Sequence, residues 1–403
     1  MQITQLTIEG FRGFREKKEI LFPKDGSPLV IVSANGAGKT SILEAIRIPL
    51  AIIADKQYDR HRQSDRRVIG QRDLNRKSST LKIEAFFKNK EGLSFSYTIT
   101  YDHKNGIKTE INPKRSRTPA IQPLVYFSTD RIFRETPAKN YINQGAKNAL
   151  VDGLNEPTNF SLFYSWISQS KKSIQEFPQD SRNKLSTVNQ AIKKLFCRND
   201  YEIFIRNDED SSDLFFRKGD DEFSIFQLSA GEKNIVSIAS DLAMRLFMAY
   251  PNSNAPLNEK GIVLIDELEL HLHPKWQEQL LNQLKETFPG IQFILTTHSP
   301  IIIRSLESES LLNLDSESVI GLEEDPFRYS VEEVLSREMG VKDVQRSQQF
   351  KEMEAAATAF FKLAQQKDNP EAIAEAKKKY QELSKQYSKD PAYVALLAAK
   401  LNL

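Results

Sequence analysis

The sequence predicts an α/β protein that combines a parallel sheet, built around a phosphate-binding loop, with an antiparallel β part. Residues 30–41 read VIVSANGAGKTS, an apolar strand that breaks into a glycine-rich turn and continues with helical spacing. Two later apolar runs, GIVLIDEL and IQFILTTHS, end in polar residues and enclose a helical segment, as parallel strands joined by helices do. Asn105 and Gly106 stand between two alternating segments, which predicts a β-hairpin.

The remaining elements follow from local patterns. MQITQLTIEGF alternates apolar and polar residues and predicts an opening strand. TSILEAIRIPLAII has helical spacing, and Pro49 is expected to bend or end that helix early. A long helix is expected after QLSAGEKN, and from about Ser330 the chain is predicted to be helical, with a capping box in SVEE. One late helix carries an apolar face formed by Ile373, Ala376, Tyr380, Leu383 and Tyr387.

Composition limits the class of protein. The chain has 403 residues, of which 39% are hydrophobic and 27% charged, and its net charge is +2. These values are ordinary for a folded domain protein and give no global attraction to nucleic acid. The single cysteine, Cys197, excludes an internal disulfide. Without a signal-peptide pattern or an 18-residue apolar stretch, we expect a cytoplasmic protein with no membrane contact.

The glycine-rich turn has the chemistry of a triphosphate site. Gly36 and Gly38 can adopt positive φ angles that let backbone N–H groups wrap phosphates, at the start of a helix that favours anions. Lys39 would reach the β- and γ-phosphates, and Thr40 would offer its hydroxyl to Mg²⁺. Ser33 replaces the first glycine of the usual pattern, which is tolerable if its φ angle is negative.

Two further segments carry acidic or anion-binding groups. The apolar run 262–265 delivers Asp266 and Glu267 to the carboxyl end of a strand, where ligands bind in open α/β sheets. Asp266 would hold the Mg²⁺ shell, and Glu267 would orient and deprotonate a water, although Glu269 could compete for these roles. Ser229 and Gly231 begin a helix, either as an anion-binding start or as an ordinary capping box of Ser229 with Glu232.

Together with His298, which ends another predicted strand, these segments resemble the ABC-type ATPase heads of the RecF/SMC/OLD superfamily. Residues 33–40 match Walker A, residues 228–232 the signature, Asp266 and Glu267 Walker B, and His298 the switch histidine. The resemblance assigns nucleotide binding to Arg12, Asn35, Gly36, Ala37, Gly38, Lys39, Thr40, Ser41, Ser229, Gly231 and Glu232, metal binding to Thr40 and Asp266, and catalysis to Glu267 and His298. No Q-loop glutamine is found, because the best candidate region, 126–131, contains none.

The resemblance also implies an architecture. It predicts a mixed β-sheet around a P-loop core, an antiparallel β subdomain and a helical lobe, with a C-terminal helical extension. The expected limits are an ATPase lobe over 1–150, a helical insert over 151–200, a second ATPase lobe over 201–306 and the helical extension over 307–403.

Within the superfamily, the sequence is most similar to small AAA-type ATPases of bacterial defence islands, such as those of Septu and retron-associated systems. Lys39 and Ser229 lie only 190 positions apart without long heptads, so the SMC coiled coil is excluded. The resemblance implies ATP and Mg²⁺ as cofactors, a head-to-head homodimer in which Ser229 acts in trans, and a separate effector, typically an HNH nuclease. The alternatives are a RecF-like repair ATPase that binds DNA directly and a self-sufficient nuclease whose active site the sequence does not reveal.

The sequence does not decide which regions bind partners. The basic segment 56–77 and the shorter segment 112–117 could be solvated surface or could bind nucleic acid or a partner. The apolar face of the late helix could pack within the chain or against an effector. His271 and His273 lie two apart on a predicted loop, where a dimer contact is favoured over a metal pair.

Overall fold

A computed structural model describes residues 1–24, 26–57, 69–89, 91–113, 121–131, 145–154, 162–163, 165–167, 178–207, 212–315, 325–337, 339, 352, 355–357, 359–360, 363 and 370–384. The chain forms two compact units, Met1–Gly340 and Val341–Leu403. Every residue predicted to form the nucleotide site lies in the first unit. The basic segments are described only in part, with 58–68 and 114–117 outside the described residues.

The strands are β1 (Gln2–Glu9), β2 (Lys18–Leu21), β3 (Leu29–Val32), β4 (Thr80–Lys88), β5 (Ser94–Asp102), β6 (Gly106–Asn112), β7 (Leu124–Phe127), β8 (Tyr201–Asn207), β9 (Ser212–Lys218), β10 (Asp221–Ser224), β11 (Gly261–Ile265), β12 (Ile291–Thr296) and β13 (Leu311–Asn313). The α-helices are α1 (Lys39–Gln57), α2 (Pro178–Phe196), α3 (Ala230–Ala249), α4 (Pro274–Thr287), α5 (Pro300–Arg304), α6 (Val331–Arg337) and α7 (Pro370–Ser384). Short 3-10 turns connect several of them, including Gly145–Leu150 and Ile225–Gln227.

The central element is a five-stranded parallel sheet in the order β13-β3-β12-β11-β7. Alternate residues of its strands enter opposite hydrophobic clusters: Val30 and Val263 pack into one, Ile31 and Leu264 into the other. Both faces of the sheet are therefore buried, which explains why its strands read as continuous apolar runs. All five carboxyl ends meet at one edge of the sheet.

Two antiparallel sheets complete the mixed architecture predicted from the sequence. The larger has the order β2-β1-β4-β5-β6, and the smaller has the order β10-β9-β8. The predicted hairpin is confirmed, with Asp102 paired to Gly106 across the turn. Oδ1 of Asp102 accepts the backbone N–H groups of Lys104 and Asn105, and Gly106 takes the positive φ angle of 71° that the turn requires.

The two long helices next to the site use their apolar faces to close the core. Ile42, Ala45 and Ile46 of α1 are fully buried in the cluster that also holds the larger antiparallel sheet. Val236 and Leu242 of α3 are fully buried in the other cluster, with α2 and α4. Strand β3 and helix α1 therefore hold the glycine-rich loop between two packed elements.

Two details differ from the sequence-based expectation. Of the two outcomes expected at Pro49, a bend or an early end, the early end is wrong: α1 continues to Gln57, because the buried neighbours Ile48, Leu50 and Ile53 stabilise the last turns despite the missing N–H group. The predicted helical extension starts at residue 307, whereas β13 pairs with β3 and extends the parallel sheet beyond that point. A strand of three residues is too short to show the two-residue alternation of apolar and polar side chains by which a strand is predicted from sequence. The other domain limits stay a prediction.

The last elements contain caps and an apolar face that the sequence predicts. The capping box is confirmed, since the Ser330 N–H donates to Glu333 (2.8 Å) and the Glu333 N–H donates back to Ser330 Oγ (3.2 Å). In the second unit, Tyr380 of α7 stacks on Phe360 with the ring centroids 6.0 Å apart. Part of the apolar face thus packs within that unit, while Tyr387 lies outside the described residues. No described helix is long and apolar enough to cross a membrane.

Candidate nucleotide-binding site

The glycine-rich loop links β3 to α1 at the carboxyl edge of the parallel sheet. Gly36 and Gly38 have φ angles of 83° and 106°, in the region that favours glycine. A Cβ atom at Gly38 would lie 2.8 Å from the ring of Phe14, so any side chain there would displace that ring. Ser33 is not among the residues with positive φ, and its position is therefore compatible with serine.

Lys39 is folded back onto its own loop. Its ammonium donates to the carbonyl of Ser33 (2.9 Å) and to that of Ala34 (3.3 Å), and only 6% of the residue is exposed. Burial lowers the pKa of Lys39, while the nearby carboxylates of Asp315 and Asp266 oppose this effect. The ammonium is thus held beside the place where the loop would accept phosphates.

Walker A and Walker B are joined by a direct hydrogen bond. Thr40 Oγ1 donates to Asp266 Oδ2 at 2.9 Å, and the other oxygen of Asp266 accepts the hydroxyl of Thr296. Asp266 is 4% exposed, and its carboxylate is fixed by a hydroxyl from the start of α1 and a buried hydroxyl from the end of β12. The parallel pairing of β11 and β12 brings the strand ends that precede Glu267 and His298 side by side.

These groups fit a magnesium ion. A hydroxyl and a carboxylate oxygen are hard ligands of the kind Mg²⁺ prefers, and the two oxygens lie 2.9 Å apart. Thr40 and Asp266 would hold the ion, which would neutralise charge on phosphate oxygens.

Glu267 has an unusual backbone conformation. Its φ angle is 50°, in the left-handed region that non-glycine residues rarely adopt. Its N–H donates to Thr296 Oγ1 (2.8 Å), and its carbonyl accepts a hydrogen bond from Arg131. The side chain is partly exposed at the sheet edge. Its backbone is therefore held at both ends while its carboxylate is accessible.

Glu269 holds the segment that carries His298, the predicted switch histidine. Its carboxylate accepts the hydroxyl of Thr297 (2.7 Å) and the backbone N–H of His298. The His298 side chain is half-buried at the end of β12. Glu269, considered in the sequence as a rival to Walker B, thus has two partners of its own next to the histidine.

The opening turn approaches the site from the larger antiparallel sheet. Arg12, the predicted nucleotide-facing arginine, has a φ angle of 47° and donates through Nε to Asp73 at 3.1 Å. Its Nη2 lies 3.8 Å from a carboxylate oxygen of Glu44, on the helix that follows the glycine-rich loop. Arg12 is therefore near the loop but already paired with two acids of its own chain.

The signature residues form a separate, exposed helix start. The Ser229 hydroxyl donates to Glu232 (2.8 Å) and accepts the Glu232 N–H (3.4 Å), which is the capping box. Burial of Glu232 tends to raise its pKa, but hydrogen bonds from Lys218 and Ser229 outweigh this and lower the pKa. Gly231 is buried, and a Cβ there would lie 2.6 Å from the carbonyl of His271. The structure brings the Walker residues together but links Ser229 to its own helix.

Three groups near the site are absent from the sequence-based prediction. Arg131 donates to the carbonyls of Asp266 and Glu267, Thr296 bonds to both Walker B residues, and Asp315 accepts the Ala34 N–H at 2.6 Å. Thr296 is the last residue of its strand, and Arg131 and Asp315 follow shortly after theirs, which is the one signal in the sequence. Arg131 belongs to the region searched for a Q-loop glutamine.

The comparison with protein families identifies the class. A family model described as "AAA domain, putative AbiEii toxin, Type IV TA system" matches residues 29–304, more than half of the chain. The chain belongs to this AAA family. The matched range begins at β3 and includes the glycine-rich loop, both Walker B acids, the signature and His298. The protein is an ATPase.

Relatives with descriptive names support this assignment. The "Retron Vc95 probable ATPase" of Vibrio cholerae serotype O1 biovar El Tor is 28% identical over 376 residues, covering 77% of this chain and 73% of that protein. The "Septu protein PtuA" of Bacillus mycoides (strain KBAB4) is 28% identical over 326 residues, covering 78% of this chain and 41% of that protein. These matches confirm the family predicted from the motifs.

A solved structure of an SMC head bound to the C-winged helix domain of ScpA is also similar. It is 18% identical, with coverage of 76% of this chain and 92% of that chain, and the TM-score is 0.49. Similarity at this level concerns the fold alone.

Proposed function

We propose that this ATPase is a dimeric switch subunit of a bacterial anti-phage defence complex, in which ATP binding and hydrolysis regulate a separate effector nuclease. The observation that supports it most is the hydrogen bond from Thr40 to Asp266, two residues that we propose to hold Mg²⁺ and that precede or follow Lys39 and Glu267 directly in the chain. The relatives named as retron and Septu proteins support the defence context.

The residues around Walker A and Walker B, which we call the Walker end of the site, each have a role in the proposed reaction. Lys39 would exchange its bonds to the loop carbonyls for bonds to phosphate oxygens. Glu267 would accept a proton from the attacking water as that water attacks the γ-phosphorus, and the bond to the bridging oxygen breaks to leave ADP and phosphate. His298 would contact the γ-phosphate from the neighbouring strand end.

The exposed signature supports the dimer. Ser229 lies outside the bonded Walker network of its own chain, at a helix start that can bind an anion. We propose that it contacts the nucleotide of a second copy, so that two heads enclose two ATP molecules. Nucleotide binding would then favour the closed dimer over the open one, and hydrolysis would release it.

The effector is proposed to be another chain, of the HNH nuclease class. The five histidines of the sequence, at 61, 103, 271, 273 and 298, have no HNH spacing. We expect the purified protein with ATP and Mg²⁺ to leave DNA and RNA intact. Cleavage by this chain alone, lost on changing a carboxylate outside Walker B, would contradict the proposal.

Complementation between two inactive variants tests the dimer. Lys39→Ala should disable nucleotide binding, and Ser229→Arg should block the signature, so each protein alone should hydrolyse little ATP. In a 1:1 mixture, half of the dimers would be mixed and each would hold one intact composite site, which predicts about a quarter of wild-type turnover. Turnover in the mixture equal to the mean of the two separate variants would contradict action in trans.

A DNA-binding assay separates the RecF-like alternative. ATP-dependent binding of this chain alone to DNA, weakening steeply as salt is raised, would favour that alternative over the switch. We expect binding that is weak and independent of ATP.

A further inference from the structure

Arg131 is the buried cation at the centre of the polar network behind Walker B. It lies just beyond β7, is 3% exposed, and donates to the carbonyls of Ser128 (3.2 Å) and Asp266 (2.6 Å) and to that of Glu267. Its Nε donates to the side-chain oxygen of Asn234 at 2.7 Å. A planar guanidinium can serve these acceptors at once because its donors point in fixed, diverging directions.

The bond to Glu267 coincides with the strained position of the backbone. A residue with a φ angle of 50° persists only where its surroundings hold it, and here Arg131 holds the carbonyl while Thr296 holds the N–H. Burial lowers the pKa of Arg131 to about 10, with the carboxylate of Asp266 opposing the shift, so the guanidinium stays charged at neutral pH.

The same guanidinium reaches the signature helix. Asn234 lies on α3, one turn beyond Ser229 and Gly231, and its amide accepts from Arg131. The amide also donates to the carbonyl of Leu270 at 2.8 Å, in the segment after Walker B. Both bonds are made by the Asn234 amide. A shift of the start of α3 would therefore disturb Arg131 and the segment after Walker B together.

We propose that Arg131 is a positioning residue that fixes the Glu267 backbone for hydrolysis and, through Asn234, couples it to the signature of the same chain. This inference rests on the proposed role of Glu267 and on the proposed contact of the signature with a second copy. Closure around one nucleotide then acts on the carboxylate at the other, which makes the two ATP sites of a dimer cooperative.

A purely structural arginine would behave differently, and the chain contains a matched example. Arg245 on α3 is 2% exposed and bonds to Asp241 (2.7 Å) and to the carbonyls of Ala149 (2.9 Å) and Val151 (2.8 Å). It is buried and bonded to a comparable degree, but its acceptors are Asp241 on its own helix and two carbonyls of the segment beside β7, and none belongs to Walker B. Arg245→Met therefore controls for the loss of a buried guanidinium.

The first experiment measures kcat, KM and nucleotide affinity of Arg131→Met, Arg131→Lys and Arg245→Met below their melting temperatures. We expect Arg131→Met to lower kcat on the order of 10- to 100-fold relative to Arg245→Met, with ATP affinity within about 3-fold, because misplacing a reacting group by a small distance has effects of this size. Arg131→Lys, which keeps the charge and fewer bonds, should lie between wild type and Arg131→Met. Equal kcat values for Arg131→Met and Arg245→Met would overturn the positioning role.

The second experiment addresses the coupling through the dependence of turnover on ATP concentration. Asn234→Ala leaves the three carbonyl bonds of Arg131 in place, so it should lower kcat less than Arg131→Met does. The wild-type protein should show a Hill coefficient above one, and Asn234→Ala should bring it close to one. A Hill coefficient of one in the wild type, or the wild-type coefficient in Asn234→Ala, would overturn the coupling.

The outcomes distinguish this inference from the function on which it rests. A wild-type protein whose ATP binding and turnover do not depend on Lys39 would contradict the proposed site itself. Lys39-dependent turnover, combined with no difference between the Arg131 and Arg245 variants, would overturn the inference alone.

Discussion

The two ends of the proposed composite site are built in opposite ways. At the Walker end, Lys39 and Asp266 are 6% and 4% exposed; Lys39 is bonded to carbonyls of its own loop, and Asp266 is bonded to Thr40 at the start of α1. At the signature end, Ser229 is exposed and its hydroxyl is paired with Glu232 of the same helical turn. The first end is positioned by the core of the chain, whereas the second is an exposed cap on a buried helix.

This difference assigns two tasks to the two ends: the Walker end would bind the nucleotide, and the signature end would complete the site of a second chain. A preformed, buried network can bind a ligand with little reorganisation, since its groups are already oriented. An exposed cap can meet a second molecule without disturbing the core. Changes at the Walker end should therefore affect a single chain, and changes at the signature end should affect what two chains do together.

The largest expected effect is that of Lys39→Ala. The change removes a charge-assisted contact to phosphate, so ATP affinity should fall on the order of 100-fold, about 2.7 kcal/mol. Equilibrium binding of a fluorescent ATP analogue measures this. Lys285→Ala, which removes an exposed lysine from α4, is the control and should bind as wild type does. Wild-type affinity in Lys39→Ala would mean that the buried end is not the binding end.

Glu267→Gln should separate binding from turnover within the Walker end. Loss of the proposed general base should lower kcat roughly 100- to 1000-fold while ATP affinity stays within about 3-fold. Light scattering should show a dimer that persists in ATP. Glu269→Gln, which keeps an acceptor for the His298 N–H, should lower kcat less. Unchanged turnover in Glu267→Gln would exclude Glu267 as the base.

Gly231→Ala tests the signature end. Alanine normally stabilises a helix relative to glycine, but here its Cβ would lie 2.6 Å from the His271 carbonyl and 3.3 Å from Trp276. We expect a loss of about 1–3 kcal/mol in the free energy of unfolding and reduced turnover. ATP affinity of the separated chain should be retained. Ala230→Ser, at the exposed neighbouring position, should change stability by less than about 0.5 kcal/mol. A stabilised Gly231→Ala protein would contradict the close contact.

Ser33→Gly should have the smallest effect. It restores the usual glycine at a position without a positive φ angle, so ATP affinity should stay within about 3-fold of wild type. The added chain flexibility should cost about 0.5–1 kcal/mol in thermal or denaturant unfolding. A tenfold gain in affinity would show that serine distorts the loop.

The sequence predicts well those features that depend on residues close together in the chain. The glycine-rich loop, the acids after β11 and the hairpin at Gly106 depend on short runs of residues, and the structure contains each strand and turn where the pattern places it. The bonded partners of those acids do not follow from such runs. Arg131 reaches Glu267 only because β7 lies beside β11, and Thr296 reaches Asp266 only because β12 lies on the other side.

Asp315, after the edge strand β13, is a further residue whose contact does not follow from short runs of sequence. It meets Ala34 because β13 pairs with β3, a strand almost three hundred residues earlier in the chain. That strand has only three residues, two of them apolar, and the helical prediction for 307–403 did not include it. Strand order, which is set by packing of the whole sheet, determines these contacts.

The pairing of β13 with β3 also has a consequence for folding during synthesis of the protein. The loop is synthesised early, but the carboxylate that holds its Ala34 N–H emerges 281 residues later. Contacts of such long range form late in folding, after the entropy of closing a large loop has been overcome. A ribosome-bound chain that stops before β13 would carry every Walker and signature motif and still lack this strand. Nucleotide binding to the finished sheet would then favour a chain that has been made past β13, because a ligand stabilises only the state that can hold it.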